Sequence, residues 1–235
     1  MLKLLHGRNS VLPLRVLLLH DCAPAAERLI RELELGGTKL LSQRVDSEAA
    51  FLQALRTFAP DVVVASMGTS LTPRTALQLV QAHHPIAAVI LVTQTFDEES
   101  AVACLQAGAE TVVLENNLSR LGPATRRALL VRQPLRKVSR RQLQVLRSVT
   151  HGLTSKEIAG GLGLSVKTVE SHRAAGMRRL GLDNVAGLVL YAVRVGLISP
   201  GLAGVATAHD SAIRRVAGST HQPRLQFAQD WPEGA

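Results

Sequence analysis

The stretch PDVVVASMG, residues 60–68, opens on a proline, passes through three consecutive valines and ends on small uncharged residues. Val62, Val63 and Val64 leave no polar face, so the strand is expected to be covered on both sides, as in a parallel sheet between two layers of helix. In open sheets of that kind the chemistry sits just beyond the carboxyl ends of the strands. Here that position holds only Ala65, Ser66 and Met67.

Outward from this strand the pattern alternates. Apolar runs RVLLLH (15–20), TKLLSQRV (38–45), DVVVAS (61–66), IAAVILVT (86–93) and ETVVLE (110–115) are separated by helical patterns at 23–35, 47–58, 73–83, 98–108 and 118–130. Strand alternating with helix five times predicts a (βα)5 parallel sheet, an α/β fold with helices on both faces, over residues 14–131. Gly36-Gly37, Pro60 and Gly108 punctuate the pattern where elements should end or begin. RQPLRKV (132–138) reads as a short basic linker. Four helices follow at 139–152, 154–162, 165–180 and 183–196, so residues 139–198 are all-α. Pro200 ends regularity, and the Gly-, Ala-, Ser- and Pro-containing tail 199–235 is expected to be disordered.

A chain of 235 residues has room for two ordinary domains. With 46% hydrophobic and 19% charged residues it has the composition of a soluble globular protein. Cys22 and Cys104 are too few for a disulfide framework or a zinc site, which fits a reducing cytoplasm. The start MLKLLHGRNSVLPLRVLLLH is interrupted by His6, Arg8, Asn9, Pro13 and Arg15, and no small-residue cleavage site follows. No run of 18 apolar residues predicts a membrane span. Whether residues 1–12 are the true start is open at this point.

Charge separates the two halves. Residues 132–198 hold twelve Lys and Arg against Glu157, Glu170 and Asp183, a surplus equal to the net charge of +9 of the whole chain. A basic block confined to one domain points to a polyanion, most often nucleic acid. Within it, GLTSKEIAGGLGLSVKTVESHR gives a short helix, a turn at Gly163 and a longer helix capped by Ser165, the layout of a helix-turn-helix whose second helix enters the major groove. At about 100° per residue, Val166, Val169, Gly176, Met177 and Leu180 fall on one side of that helix. Lys167, Thr168, Ser171, Ala174, Ala175 and Arg178 fall on the other. Outward alanines on an otherwise polar and basic face suit a helix that a groove wall must approach closely.

These residues resemble the LuxR/NarL-type DNA-binding domain over about 138–198. The match runs through Leu143, Val145, Leu146, Gly152, Leu153, Lys156, Glu157, Ile158, Ala159, Leu162, Leu164, Ser165, Thr168, Val169, His172, Leu180 and Gly181, ending on Gly196-Leu197-Ile198. The resemblance implies a transcriptional regulator with double-stranded DNA as partner. Its base-reading positions fall on Glu170, Ser171 and Ala174, with Lys167, Thr168 and Arg178 at or near phosphates. Glu170 could accept from cytosine N4, or simply favour the helix amino end. Arg173 falls on the inward side and is expected to pair with Glu157. The last helix, with Val185, Leu188, Val189, Tyr191, Ala192 and Val195, would pack within its domain or join a homodimer on DNA.

The upstream (βα)5 unit resembles the receiver domain of two-component response regulators, through RVLLLHD, PDVVVAS, VILVT and AGAETVVLE. That family holds Mg²⁺ with two acids after strand one and an aspartate after strand three, which takes a phosphoryl group, while a lysine and a hydroxyl neutralise its oxygens. This chain departs from the pattern. Only Asp21 remains of the acidic pair, Ser66 stands at the phosphoacceptor, Thr93 keeps the hydroxyl position and Glu115 replaces the lysine. Val112 aligns with the aromatic switch position. The resemblance therefore implies a pseudo-receiver that works without phosphorylation, with no metal and no cofactor, serving dimerisation, a protein partner or a small ligand. Ser66 with His20 and Asp21 raises a hydrolase reading, but the spacing lacks the nucleophile-elbow glycine pattern and no enzyme is expected. The rival is an interaction protein that no longer reads DNA and sequesters a related regulator. Target genes, the sign of regulation, the input signal and the oligomeric state off DNA leave no mark in the sequence.

Overall fold

A computed structural model of the chain describes residues 13–35, 37, 39–67, 71–95 and 97–198. The expected disordered tail at 199–235 and the question of the start at 1–12 lie outside the described residues. Five strands, β1 (Leu14–Leu19), β2 (Leu40–Val45), β3 (Val62–Ser66), β4 (Ala88–Thr93) and β5 (Thr111–Leu114), pair in parallel in the order β2-β1-β3-β4-β5. Between and after them run α1 (Ala23–Glu34), α2 (Glu48–Thr57), α3 (Pro73–His83), α4 (Glu98–Gln106) and α5 (Leu121–Arg132).

Successive side chains of a strand point to opposite faces, and the core divides accordingly. Leu17, Leu19, Val63, Ala65, Val89 and Leu91 pack with Phe51, Leu55, Leu77 and Cys104 of α2, α3 and α4. Val16, Leu18, Val62, Val64, Ile90 and Val92 pack with Ala26, Leu29, Leu33, Leu121 and Ala128 of α1 and α5. The unbroken valines of β3 are thus buried on both sides, and β3 sits near the middle of the sheet. Local chemistry starts the helices: Ser47, Thr72 and Asp97 each accept from the backbone N–H three residues on, which satisfies an amide the helix itself cannot.

Two boundaries differ from the sequence pattern. The helix expected from Leu118 is preceded by a 3-10 turn, Glu115–Arg120, and α5 begins at Leu121, with Pro123 in its first turn, where a missing N–H costs nothing. The basic stretch 132–138 is also structured. α5 runs to Arg132 and a 3-10 helix, Gln133–Lys137, follows directly. Its one large aliphatic side chain, Leu135, is fully buried in the core of the helical part.

That part comprises α6 (Arg140–Thr150), α7 (Ser155–Leu162), α8 (Val166–Leu180) and α9 (Val185–Arg194). α6 lies at its centre, packed on α8, α7 and α9. It rests against the end of the sheet where the strands begin. Arg136 pairs with Asp61, just before β3. Buried Arg132 lies 3.7 Å from Glu110, just before β5, and donates to the carbonyl of Pro85. Ile86 and Val131 extend the apolar core of the helical part across the junction.

Candidate nucleic-acid interface

Thr154 and Glu157 open α7 with a capping box: the Thr154 hydroxyl accepts from Glu157 N, and the Glu157 carboxylate accepts from Thr154 N at 2.8 Å. The Glu157 carboxylate thereby closes its own helix. Gly163 ends α7 with φ +63°, a left-handed backbone that glycine adopts without strain, and Leu164 N donates to Ala159 O to complete the turn. Two residues later Ser165 caps α8, accepting from Thr168 N at 3.1 Å while its hydroxyl lies 2.8 Å from that of Thr168. The tight turn fixes the angle at which α8 leaves α7.

Val169, Gly176 and Met177 of α8 are buried against the other helices. Gly176 permits the approach: a methyl group there would sit 2.9 Å from Leu146 Cδ1 of α6. Val166, expected on this inward stripe, is 41% exposed, one residue after the cap at the open end of the helix. On the opposite side Lys167, Ser171, Ala174 and Arg178 are exposed and Thr168 is half-buried, while Glu170, beside Met177 around the helix, is exposed at the edge of the buried stripe. Five of the six predicted residues are thus open to solvent. At the carboxyl end of α8 the Arg179 guanidinium donates to Lys137 O and Gln142 Oε1, both at 2.9 Å, tying that end to the basic 3-10 helix. Arg136, Lys137 and Arg140 are exposed nearby in sequence.

At the other end of the molecule the carboxyl ends of the strands bring Asp21, Ser66, Thr93 and Glu115 to one region. Ser66 and Thr93 are buried, and the Thr93 hydroxyl donates to Thr95 O at 2.8 Å. Asp21 is exposed and Glu115 half-buried. His20 is buried, with Nδ1 accepting from Cys22 N at 3.0 Å. Desolvation holds its imidazole below the usual histidine range, with Glu115 and Asp21 pulling up and Arg44 and Arg28 pushing down. Arg44, which sequence reasoning passed over, donates to the carbonyls of His20 and Asp21 and pairs with Asp46. An open cleft of about 320 Å³ borders the site, lined by Met67, Thr93, Gln94, Asp97, Ser100 and Val112 among others, with no Lys or Arg among the described residues of its wall. Among the described residues no group of three or more His, Cys, Asp and Glu is placed to hold a metal ion. No helix among them is long and apolar enough to cross a membrane.

The molecule is thus a receiver-like five-stranded parallel sheet followed by a helical helix-turn-helix unit. Residues 136–192 match the family described as bacterial regulatory proteins, luxR family. The oxygen regulatory protein NreC of Staphylococcus aureus (strain JH9) is 42% identical over 65 residues, which cover 28% of this chain. The matched stretch spans only 30% of that relative's length. Among solved structures, the RcsB response regulator of Salmonella typhimurium aligns over 76% of this chain and 97% of its own, with 20% identity and a TM-score of 0.42. Full-length FixJ from B. japonicum aligns over 78% and 98%, with 22% identity and a TM-score of 0.42.

Proposed function

We propose that the chain is a sequence-specific DNA-binding transcriptional regulator whose receiver-like domain operates without aspartyl phosphorylation. The observation that carries the reading is the outward face of α8: exposed, basic at Lys167 and Arg178, and lined at its middle by small side chains at Ser171 and Ala174. Lys167, Thr168 and Arg178 contact phosphates; Glu170, Ser171 and Ala174 meet base edges. Phosphate contacts give affinity and register, and base-edge contacts give preference. The net charge of +9, concentrated in this half, supports the same partner. One solved structure shows two RcsB dimers bound to two parallel DNAs, which is compatible with this partner. In this reading 14–131 is the receiver-like domain, 132–138 the connection and 139–198 the DNA-binding domain. α9, with Leu190 72% exposed, supplies the contact to a second copy on DNA.

Loss of phosphorylation follows from charge. A phosphoryl group at Ser66 would meet Glu115 in place of a cation, and Asp21 alone is a poor Mg²⁺ site. The sequence around Ser66 lacks the nucleophile-elbow glycine pattern, so the chain is read as a regulator and not an enzyme, working in the cytoplasm. The sheet domain instead receives a protein or small ligand. The test is binding of the full chain to a randomised duplex pool, with and without beryllofluoride. A preferred site, unaltered in affinity by beryllofluoride, is expected. Absence of any site preference overturns the DNA-reading proposal, and a beryllofluoride-dependent gain overturns the phosphorylation-independent part.

A further inference from the structure

The junction between the sheet and the helical part is built too closely for a flexible tether. Gln81, on α3, donates through Nε2 to Ala107 O at 2.8 Å and to Gly196 O at 3.0 Å, one partner in the sheet domain and one at the end of the chain's helical part. Its own carbonyl accepts from Arg147 of α6 at 2.9 Å, and Arg147 is half-buried. Beside it the backbones of Gly108 and Gly196 touch: a Cβ at 196 would stand 2.6 Å from Gly108 O, and one at 108 would stand 2.7 Å from Gln81 Nε2. Both glycines have positive φ, +105° and +66°, so neither backbone suits another residue. On the far side of α9, Tyr191 Oη donates to Val131 O, and burial pushes that phenol up to about 12.

The direction of docking matters. The contacts to the sheet domain come from α6, α9 and the 3-10 helix, and α6 lies between α9 and α8. α8 turns its buried stripe toward α6 and its polar face away, which is why Lys167, Glu170, Ser171, Ala174 and Arg178 stay exposed while the two parts are joined. A docked state that hid these residues would have to open before reading DNA. This one does not.

We infer that the docked arrangement, held by the Gly108–Gly196 seam and the Gln81 bridge, is itself the DNA-reading state of the protein. The claim rests on the DNA-binding reading above. Its device is an intramolecular clamp at the strand-start end of the sheet, remote from the cleft at the strand ends. Nothing needs to be released for α8 to meet a groove.

The experiment compares the full chain with Gly108→Ala, which strains and crowds the seam from the sheet side, and with Gln81→Ala, which removes the bridge without backbone strain. Small-angle scattering and amide exchange over residues 191–197 read the docking; fluorescence anisotropy on the preferred duplex reads affinity. A compact wild type is expected, together with faster exchange in both variants and an affinity unchanged or weakened up to several-fold. A tenfold or greater gain in affinity on opening would make the clamp inhibitory and overturn the inference. So would an extended wild type, or variants whose exchange stays at the wild-type level. If wild type and variants alike ignore every duplex, the DNA reading fails, while scattering and exchange still decide whether the clamp exists.

Discussion

Replacing Lys167 and Arg178 together by alanine tests the orientation of α8. The two residues are eleven positions apart, about 16 Å along the axis at 1.5 Å per residue, and about 20° apart around it. They therefore stand at opposite ends of one exposed face. The major groove is about 12 Å wide, so a helix lying in it can present one cation to each flanking phosphate ridge. Each phosphate contact contributes about −0.9 to the slope of log K against log salt. Losing two is expected to flatten the slope by about 1.8, so a rise from about 50 to 200 mM salt weakens the variant roughly 12-fold less than the wild type. Glu170, Ser171 and Ala174 remain, so the preferred sequence should persist. Both side chains are exposed and the folding midpoint should hardly move, since substitutions at such positions usually stay within about 0.5 kcal/mol. Anisotropy titrations at four salt concentrations measure the slope. An unaltered slope, or a lost preference with the slope intact, would refute this placement of the helix.

Glu170→Ala should relax the choice at one base pair, by about 1–3 kcal/mol if its carboxylate accepts from cytosine, and a competition assay against single-base variants of the site reads this. Leu135→Ala removes a fully buried side chain that anchors the 3-10 helix, and should lower unfolding free energy by about 2–5 kcal/mol in denaturant titration. Ser165→Ala removes the cap of α8 and should cost about 1 kcal/mol, with faster amide exchange at Thr168. Burial lowers the pKa of His84, opposed by a hydrogen bond that the Pro60 carbonyl accepts and by Asp61, while Arg140 and Arg15 push the same way as burial. The unfolded chain then binds the proton more readily than the folded one, so stability should fall as pH drops below about 6.5, and His84→Gln should weaken that dependence.

Much of the fold was legible because its signals are local. The short apolar runs of β1, β3 and β4, the apolar faces of the helices and the cap at Ser165 each lie within a few neighbouring residues. The same holds for the helix-turn-helix, where Gly163 and Ser165 encode the turn and the spacing along α8 sorts inward from outward positions. The placement of Ser66 and Glu115 at strand ends could also be read directly, since the strands themselves were clear.

The sequence by itself determined the two kinds of structure, the basic half and the face of α8 that would meet a polyanion. Only the tertiary structure decided that 133–137 is a 3-10 helix pinned by Leu135, and that Arg44 donates to the carbonyls of His20 and Asp21. It alone joined Gln81 to Gly196, 115 positions away, and set Gly108 against Gly196. A contact between two distant segments leaves no period and no spacing in either one: Gln81 reads as an ordinary polar helix residue until the chain folds and sets a second backbone beside it.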